Sequence, residues 1–206
     1  MTLLMQSQMV YPFRSRKPPK LAMVVVDMQE ACRDKLGYAS GSVEEGIWRT
    51  SRVIQAVRKM GRPVILVTYE STPKVIREIS EAAGTDSPHF TKTLQSAFTV
   101  APFLRFLEDS LTDALIVAGW VKGICIRDTM LDAIWAGYEV ISSDEILFHR
   151  IGFPPMDALM LHERIIHAPF VSYFESAEEL LGHLQSRTLC GRSNQELGHY
   201  ARSRDQ

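Results

Sequence analysis

The sequence predicts a doubly wound α/β domain, a parallel Rossmann-like sheet with helices on both faces. Three observations carry that reading. Runs such as "LAMVVVD", "VILVTY" and "ALIVAG" are continuously apolar and rich in β-branched residues, as strands covered on both faces must be. Longer stretches between them repeat apolar residues at helical spacing. The two kinds of segment alternate, and right-handed crossovers turn that order into a parallel sheet.

The elements follow in order. After the polar, proline-containing lead-in ending "RKPPK", the first strand runs into a carboxylate, Asp27. Residues 43–60 set Val43, Ile47, Ile54 and Val57 on one helical face, and Gly61 with Pro63 supplies the stop before "VILVTY". Downstream, "FLRFLEDSL" reads as a helix, "ALIVAG" as a strand, and Cys125 to Gly137 as a helix with Ile126, Met130, Ala133 and Ile134 inward. "YEVIS" is the next strand. "PPMDALMLHERII" is a helix with proline in its first turn, "PFVSY" a short strand, and "SAEELLGHL" a last helix with Ser176 as N-cap and Glu179 three residues on.

With 206 residues and 46% hydrophobic content, the chain supports one sizeable core. The expected division is a lead-in over 1–19, one domain over 20–186 and a tail over 187–206 that lacks apolar periodicity. The 23 basic and 24 acidic side chains leave a net charge of −1 with no long basic run, so nucleic acid is not the expected partner. No apolar run approaches the roughly 20 residues that span a bilayer. At the start of the chain the basic residues follow the apolar ones, opposite to a secretory signal, and a cytoplasmic location is expected. Cys32, Cys125 and Cys190 are odd in number and far apart, which fits neither a disulfide framework nor a zinc site.

Ligand sites in such sheets gather at the carboxyl ends of the strands. Asp27 follows the first strand, and the loop holding Cys125 follows "ALIVAG", so both belong on that edge. A sulfur at the start of a helix faces unpaired N–H groups and the positive end of the helix dipole, conditions that favour a thiolate. A buried cysteine serving as a small hydrophobe has the same local sequence, and one position leaves both readings open.

Three segments, "VVVDMQ" with Asp27, "KTLQSAF" with Lys92 and "AGWVKGICIRDTMLDAIWAGYEV" with Cys125, resemble in order and spacing the isochorismatase-like cysteine hydrolases. The resemblance covers roughly residues 20–184 and implies an Asp27, Lys92, Cys125 triad on an isochorismatase-like hydrolase fold. It assigns the oxyanion donors to the backbone N–H groups of Val121 and Cys125, across a cis peptide between Trp120 and Val121. It also puts Gln29, Cys32, Tyr69, Trp120 and Lys122 at the substrate pocket. The chemistry is coherent by itself: a thiol needs a base, a carboxylate can take its proton and return it to the leaving amine, and an ammonium beside both favours their charged forms.

Departures from the family pattern narrow the expected activity. Nicotinamidases place an aspartate and histidines after the strand that here reads "VILVTY", for a metal; this chain continues "ESTPKVIREIS", with no histidine before His89. His162 and His167 are five apart and share no helical face. No metal and no other cofactor is therefore expected. Isochorismatases that cleave an enol ether commonly carry glycine at the position of Cys125, so the cysteine favours C–N hydrolysis. Cys32 stands where relatives place an aromatic, either as space filler or as a second reactive thiol. Lys122 and Gly123 replace the usual threonine and acidic residue; Lys122 reads as a surface or subunit-contact lysine, or as an attractor for a carboxylate on the substrate.

The resulting expectation is a metal-independent cysteine hydrolase that cleaves a C–N bond of a small amide, ureido or carbamoyl compound through a thioester. Two alternatives stand beside it: an isochorismatase-type hydrolase without covalent chemistry, and a catalytically silent binding module. A homo-oligomer is expected, as in the family, with Trp48, Trp135 and Phe153 as aromatic surface candidates.

Overall fold

The computed structural model describes residues 20–152, 165, 168 and 170–187. The expected helix over 154–166 lies outside these apart from Ile165, as do the lead-in, most of the tail, Phe153, His162, His167 and Cys190. The strands are β1 (Leu21–Val26), β2 (Leu36–Gly37), β3 (Val64–Tyr69), β4 (His89–Lys92), β5 (Ala114–Trp120), β6 (Glu139–Ser143), β7 (Leu147–Arg150) and β8 (Val171–Phe174). The helices are α1 (Val43–Lys59), α2 (Arg77–Ala83), α3 (Ala101–Asp109) and α4 (Arg127–Trp135), with a further one over residues 177–187.

The sheet is mostly parallel. From β1 the chain steps outward to β3 and β4; it returns to β5 on the other side of β1 and steps on to β6 and β8. That reversal between β1 and β5 is a topological switch point, where the carboxyl ends of neighbouring strands open a crevice. β7 lies beside the last two residues of β5 and pairs antiparallel with the short β2, so the sheet is not purely parallel. The sequence signals neither β2 nor β7, because two and four residues carry too little periodicity to read.

Both faces are covered, as the continuous burial of β1 and β5 requires. Ile47, Val53, Ile54 and Val57 of α1, Ile79 of α2, and Leu180 and Leu184 of the last helix pack on one face against Met23, Val25, Ile116 and Ile141. Phe103 and Leu107 of α3 with Met130 and Ala133 of α4 cover the other, against Val24, Val26, Val67 and Val117. The last helix opens as anticipated: Ser176 Oγ accepts from the Glu179 N–H at 3.2 Å, while Glu179 accepts from the Glu175 N–H at 3.3 Å.

One element differs in a way that matters for the site. The segment read as a helix from Cys125 instead begins as a π-helical turn over Lys122–Ile126, and α4 starts only at Arg127. The N–H groups of Ile124 and Ile126 both reach the carbonyl of Val121, at 3.0 and 3.1 Å, which widens the turn. Cys125 therefore sits inside an irregular turn that runs directly into α4.

Candidate active site

The strand register sets the site. Val26 pairs with Gly119 across the β1–β5 boundary, and Tyr69 pairs with Lys92 between β3 and β4, so the ends of four strands stand side by side. Gly119 is required there. Its φ is +126°, and a Cβ on it would lie 2.0 Å from the Val26 carbonyl oxygen. The next peptide, Trp120–Val121, is cis.

Asp27 leaves β1 with φ of +55°, a left-handed conformation that its short polar side chain tolerates. Its N–H donates to the Val67 carbonyl at 2.8 Å, and its own carbonyl accepts from the Gln29 N–H at 2.9 Å. The turn points the carboxylate inward, and none of its side chain reaches solvent. Lys92, the last residue of β4, brings Nζ to 2.8 Å from Asp27 Oδ2, also with no exposed side chain. The lysine is otherwise satisfied by the Leu94 carbonyl at 3.1 Å and by the Tyr69 ring, whose centroid lies 3.7 Å from Nζ. Neither Asp27 oxygen is met by a well-aligned hydrogen bond among the described residues. A lone pair is left for a proton.

The electrostatics follow from burial. Asp27 is raised above the ordinary carboxylate range by desolvation, against the lowering effect of the Lys92 charge. Cys125, 4% exposed, is pushed up to about 11, first by burial and next by the negative charge of Asp27. Lys92 and the Val121 N–H act in the opposite direction without prevailing. The conditions that favour a thiolate at a helix start do not prevail here. Burial and the facing carboxylate outweigh the helix that follows, which favours a thiol beside a proton acceptor at rest.

Asp27, Lys92, Cys125 and Tyr69 come together. The thiol lies 4.0 Å from Tyr69 Oη, and burial followed by the charge of Cys125 raises the phenol pKa well above its ordinary value, so it keeps its proton. The remaining sequence candidates serve the frame. Gln29 is buried: its Oε1 accepts from the Tyr69 N–H at 3.1 Å and its Nε2 donates to Thr72 Oγ1 at 2.8 Å and to the Thr72 carbonyl, fastening the chain after β3 to the chain after β1. Trp120 is buried, with Nε1 donating to the His149 carbonyl at 3.1 Å.

Cys32 packs against the core, and burial raises its thiol, consistent with the filler reading. Lys122 forms an ion pair with Asp144, whose carboxylate also accepts from Tyr173 Oη at 2.6 Å. Its charge is thus committed inside the chain. Sequence reading missed this partner, and it treated Tyr69 as pocket lining only. The available signal was a polar-tipped aromatic closing an otherwise apolar strand. Among the described residues no group of three or more His, Cys, Asp and Glu side chains could hold a metal ion, and no helix is long and apolar enough to cross a membrane.

A doubly wound sheet with a thiol, a carboxylate and an ammonium gathered at its switch point defines the class: an α/β domain with a candidate active site at the carboxyl edge of its strands. Comparison with known proteins makes this specific. Residues 21–144 match the family model for the Isochorismatase domain, and the chain belongs to that family. No curated protein matches it in sequence.

Among solved structures it resembles the MAR1 ribonuclease from Caenorhabditis elegans, with 19% identity, a TM-score of 0.68, and coverage of 84% of this chain and 91% of that one. A cysteine hydrolase from Pseudomonas syringae pv. phaseolicola is 17% identical with a TM-score of 0.67, covering 83% and 95%. YcaC from Pseudomonas aeruginosa, solved with hexane-2,5-diol and covalent acrylamide, is also 17% identical, with a TM-score of 0.68 and coverage of 91% and 98%. At these identities the likeness is one of fold.

Proposed function

We propose that the protein is a metal-independent cysteine hydrolase that cleaves a C–N bond in a small amide, ureido or carbamoyl compound. The observation that carries the reading is the buried carboxylate of Asp27, paired with Lys92 at 2.8 Å and left with a free lone pair beside the Cys125 thiol. Such a group has the affinity for a proton that a general base needs.

The steps follow from these groups. Cys125 Sγ attacks the substrate carbon as its proton passes to Asp27; a C–S bond forms and the carbonyl electron pair moves onto oxygen. The N–H groups of Val121 and Cys125 hold that oxyanion. The pair returns, the C–N bond breaks, and Asp27 delivers its proton to the departing nitrogen. Water then attacks the thioester and loses a proton to Asp27, which gives it to the sulfur as the acid product leaves. The ammonium of Lys92 lowers the cost of ionising either neighbour. With the thiol near 11, attack and proton transfer occur together. The acid limb of kcat/KM lies above the ordinary carboxylate range, because Asp27 must be ionised to accept.

Activity against a panel of small amides, ureides and carbamoyl compounds tests the reading, with released ammonia or amine measured beside Cys125→Ala. Turnover in the wild type and none in the variant supports it. A variant that keeps its rate promotes the non-covalent alternative, and silence of both promotes the binding module. The same reading carries a cytoplasmic setting, where thiols stay reduced, and a homo-oligomer. Trp48 is 55% exposed and Trp135 is 70% exposed, large apolar surfaces that a second copy would cover. Light scattering decides the assembly: an active particle of 23.3 kDa would overturn it.

A further inference from the structure

We propose that Tyr69 is a positioning residue of the site, whose ring holds the Lys92 ammonium against Asp27 and whose hydroxyl serves as hydrogen-bond donor to the sulfur once Cys125 has lost its proton. The inference rests on the hydrolase reading above and adds a fourth member to it.

The geometry is specific. A buried ammonium needs negative or partly negative surroundings on several sides, or it loses its proton. Lys92 has three: Asp27 Oδ2 at 2.8 Å, the Leu94 carbonyl at 3.1 Å and the face of the Tyr69 ring at 3.7 Å. The carboxylate and the carbonyl take two of its directions, and the aromatic quadrupole closes a third. Without the ring, the flexible four-carbon stem has freedom to draw Nζ away from Asp27.

The other end of the same side chain reaches the nucleophile. Tyr69 Oη lies 4.0 Å from Cys125 Sγ, and in the resting state the thiol donates to it. When that proton moves to Asp27, sulfur becomes an acceptor, and the phenol, held protonated by burial and by the nearby charge, turns to donate to it. One side chain thus bridges the cation that steadies the base and the anion that attacks. Its backbone is fixed for the task, since Gln29 accepts from the Tyr69 N–H and binds Thr72 beyond it. That clamp explains why Gln29 is buried near the site with its amide fully used.

The test follows Cys125 chemistry without any substrate. Iodoacetamide alkylation of the Cys125 peptide at pH 8 is read by mass spectrometry in the wild type, Tyr69→Phe, Tyr69→Leu and Asp27→Asn, with thermal melts alongside. Tyr69→Phe keeps the ring and loses the donor, so its rate falls about threefold to tenfold. Tyr69→Leu loses both and falls further, to about a hundredth of wild type; a tenfold drop in rate corresponds to one unit in the thiol pKa. In turnover the same variants lose kcat with KM little changed, as a side chain acting through the triad would. A wild-type alkylation rate in Tyr69→Phe, or a Tyr69→Leu rate no lower than that of Tyr69→Phe, overturns the proposal. The control separates it from the broader reading: if Asp27→Asn leaves the rate unchanged, the carboxylate does not act on the thiol and the hydrolase reading itself falls. If Asp27→Asn changes the rate and neither Tyr69 variant does, only the role of Tyr69 falls.

Discussion

Replacing Asp27 by asparagine should separate stability, thiol reactivity and turnover, moving each in a direction fixed by the structure. Asparagine is nearly isosteric and is among the non-glycine residues most at ease at positive φ, so the +55° turn survives. Burial raises the Asp27 carboxyl even with an ammonium 2.8 Å away, which means its surroundings favour the uncharged form overall. An uncharged isostere is therefore no worse at neutral pH, and each unit of raised pKa corresponds to about 1.4 kcal/mol in its favour.

The sign fixes the pH dependence. The folded pKa lies above the unfolded value of about 3.9, so the stabilisation from protonated Asp27 is full below that value and is lost as pH rises through the folded pKa. The wild type loses it and Asp27→Asn does not. The stability gap should thus widen in favour of the variant between pH 4.5 and 7.5 in urea titrations.

The thiol moves the other way from the rate. Removing the Asp27 charge removes the second cause of the raised Cys125 pKa, so alkylation at pH 8 accelerates, about tenfold for each unit recovered. Turnover falls by about 100-fold or more, because the proton acceptor is gone. A more nucleophilic cysteine in a slower enzyme would mark Asp27 as a base. A variant that loses about 3 kcal/mol and alkylates more slowly would show that stranding the Lys92 ammonium outweighs relief of the carboxylate, and the reasoning would be wrong.

Lys92→Met leaves a fully buried carboxylate without its counter-charge and should cost about 3 kcal/mol at neutral pH. The Asp27 pKa then rises further, so urea titrations should find the variant weaker at pH 8 than at pH 5.5; equal values would show that the pair contributes little. Gly119→Ala puts a methyl group 2.0 Å from the Val26 carbonyl at a φ of +126° and should lose about 3 kcal/mol or more, seen as a large drop in Tm. A melt within a degree or two of wild type would mean β1 and β5 can separate freely. Turnover should survive exhaustive chelation, since the segment after β3 reads "ESTPKVIREIS" and lacks the aspartate and histidines that metal-dependent relatives place there; loss of activity restored by zinc or iron would overturn this.

The buried strands were the most readable part of the fold, because two-sided burial leaves an uninterrupted apolar run that nothing else imitates. The parallel sheet followed from the alternation of strand and helix, and with it the carboxyl edge that carries Asp27 and Cys125; that β1 and β5 are neighbours did not. β2, β4, β7 and α2 were not legible: each is short, and "HFTK" pairs along one edge with a side-chain pattern that alone predicts nothing. Lys92 was found through resemblance to a family, since a lysine at the end of a four-residue strand has no local signature of burial.

The start of α4 was misplaced by two residues because a helix start was inferred from the apolar pattern after Cys125, while the burial and the Asp27 charge that raise the thiol have no local sequence signal. A π-turn and a regular first turn share that pattern and differ only in which N–H reaches Val121. The partners of Lys122 and Gln29 were equally hidden. Asp144 and Thr72 are distant in sequence, and only the folded sheet brings them near.

The position of β5 in the sheet has a consequence for the making of the protein. β5 is the central slot, flanked by β1 on one side and by β6 and β7 on the other, and it is synthesised long after the carboxylate it must face. Until it inserts, Asp27 and Lys92 are solvated ions and Cys125 is an ordinary cysteine on a nascent chain. Pairings of this range close slowly, and chaperones meet the chain while they are still open. On the hydrolase reading proposed above, the site is thus assembled only when β5 inserts, and a chain stalled before β5 lacks Cys125 altogether. Conversely, appearance of the Cys125 signature in a refolding reaction would time the closing of the sheet centre, making the active site its own reporter of completed folding.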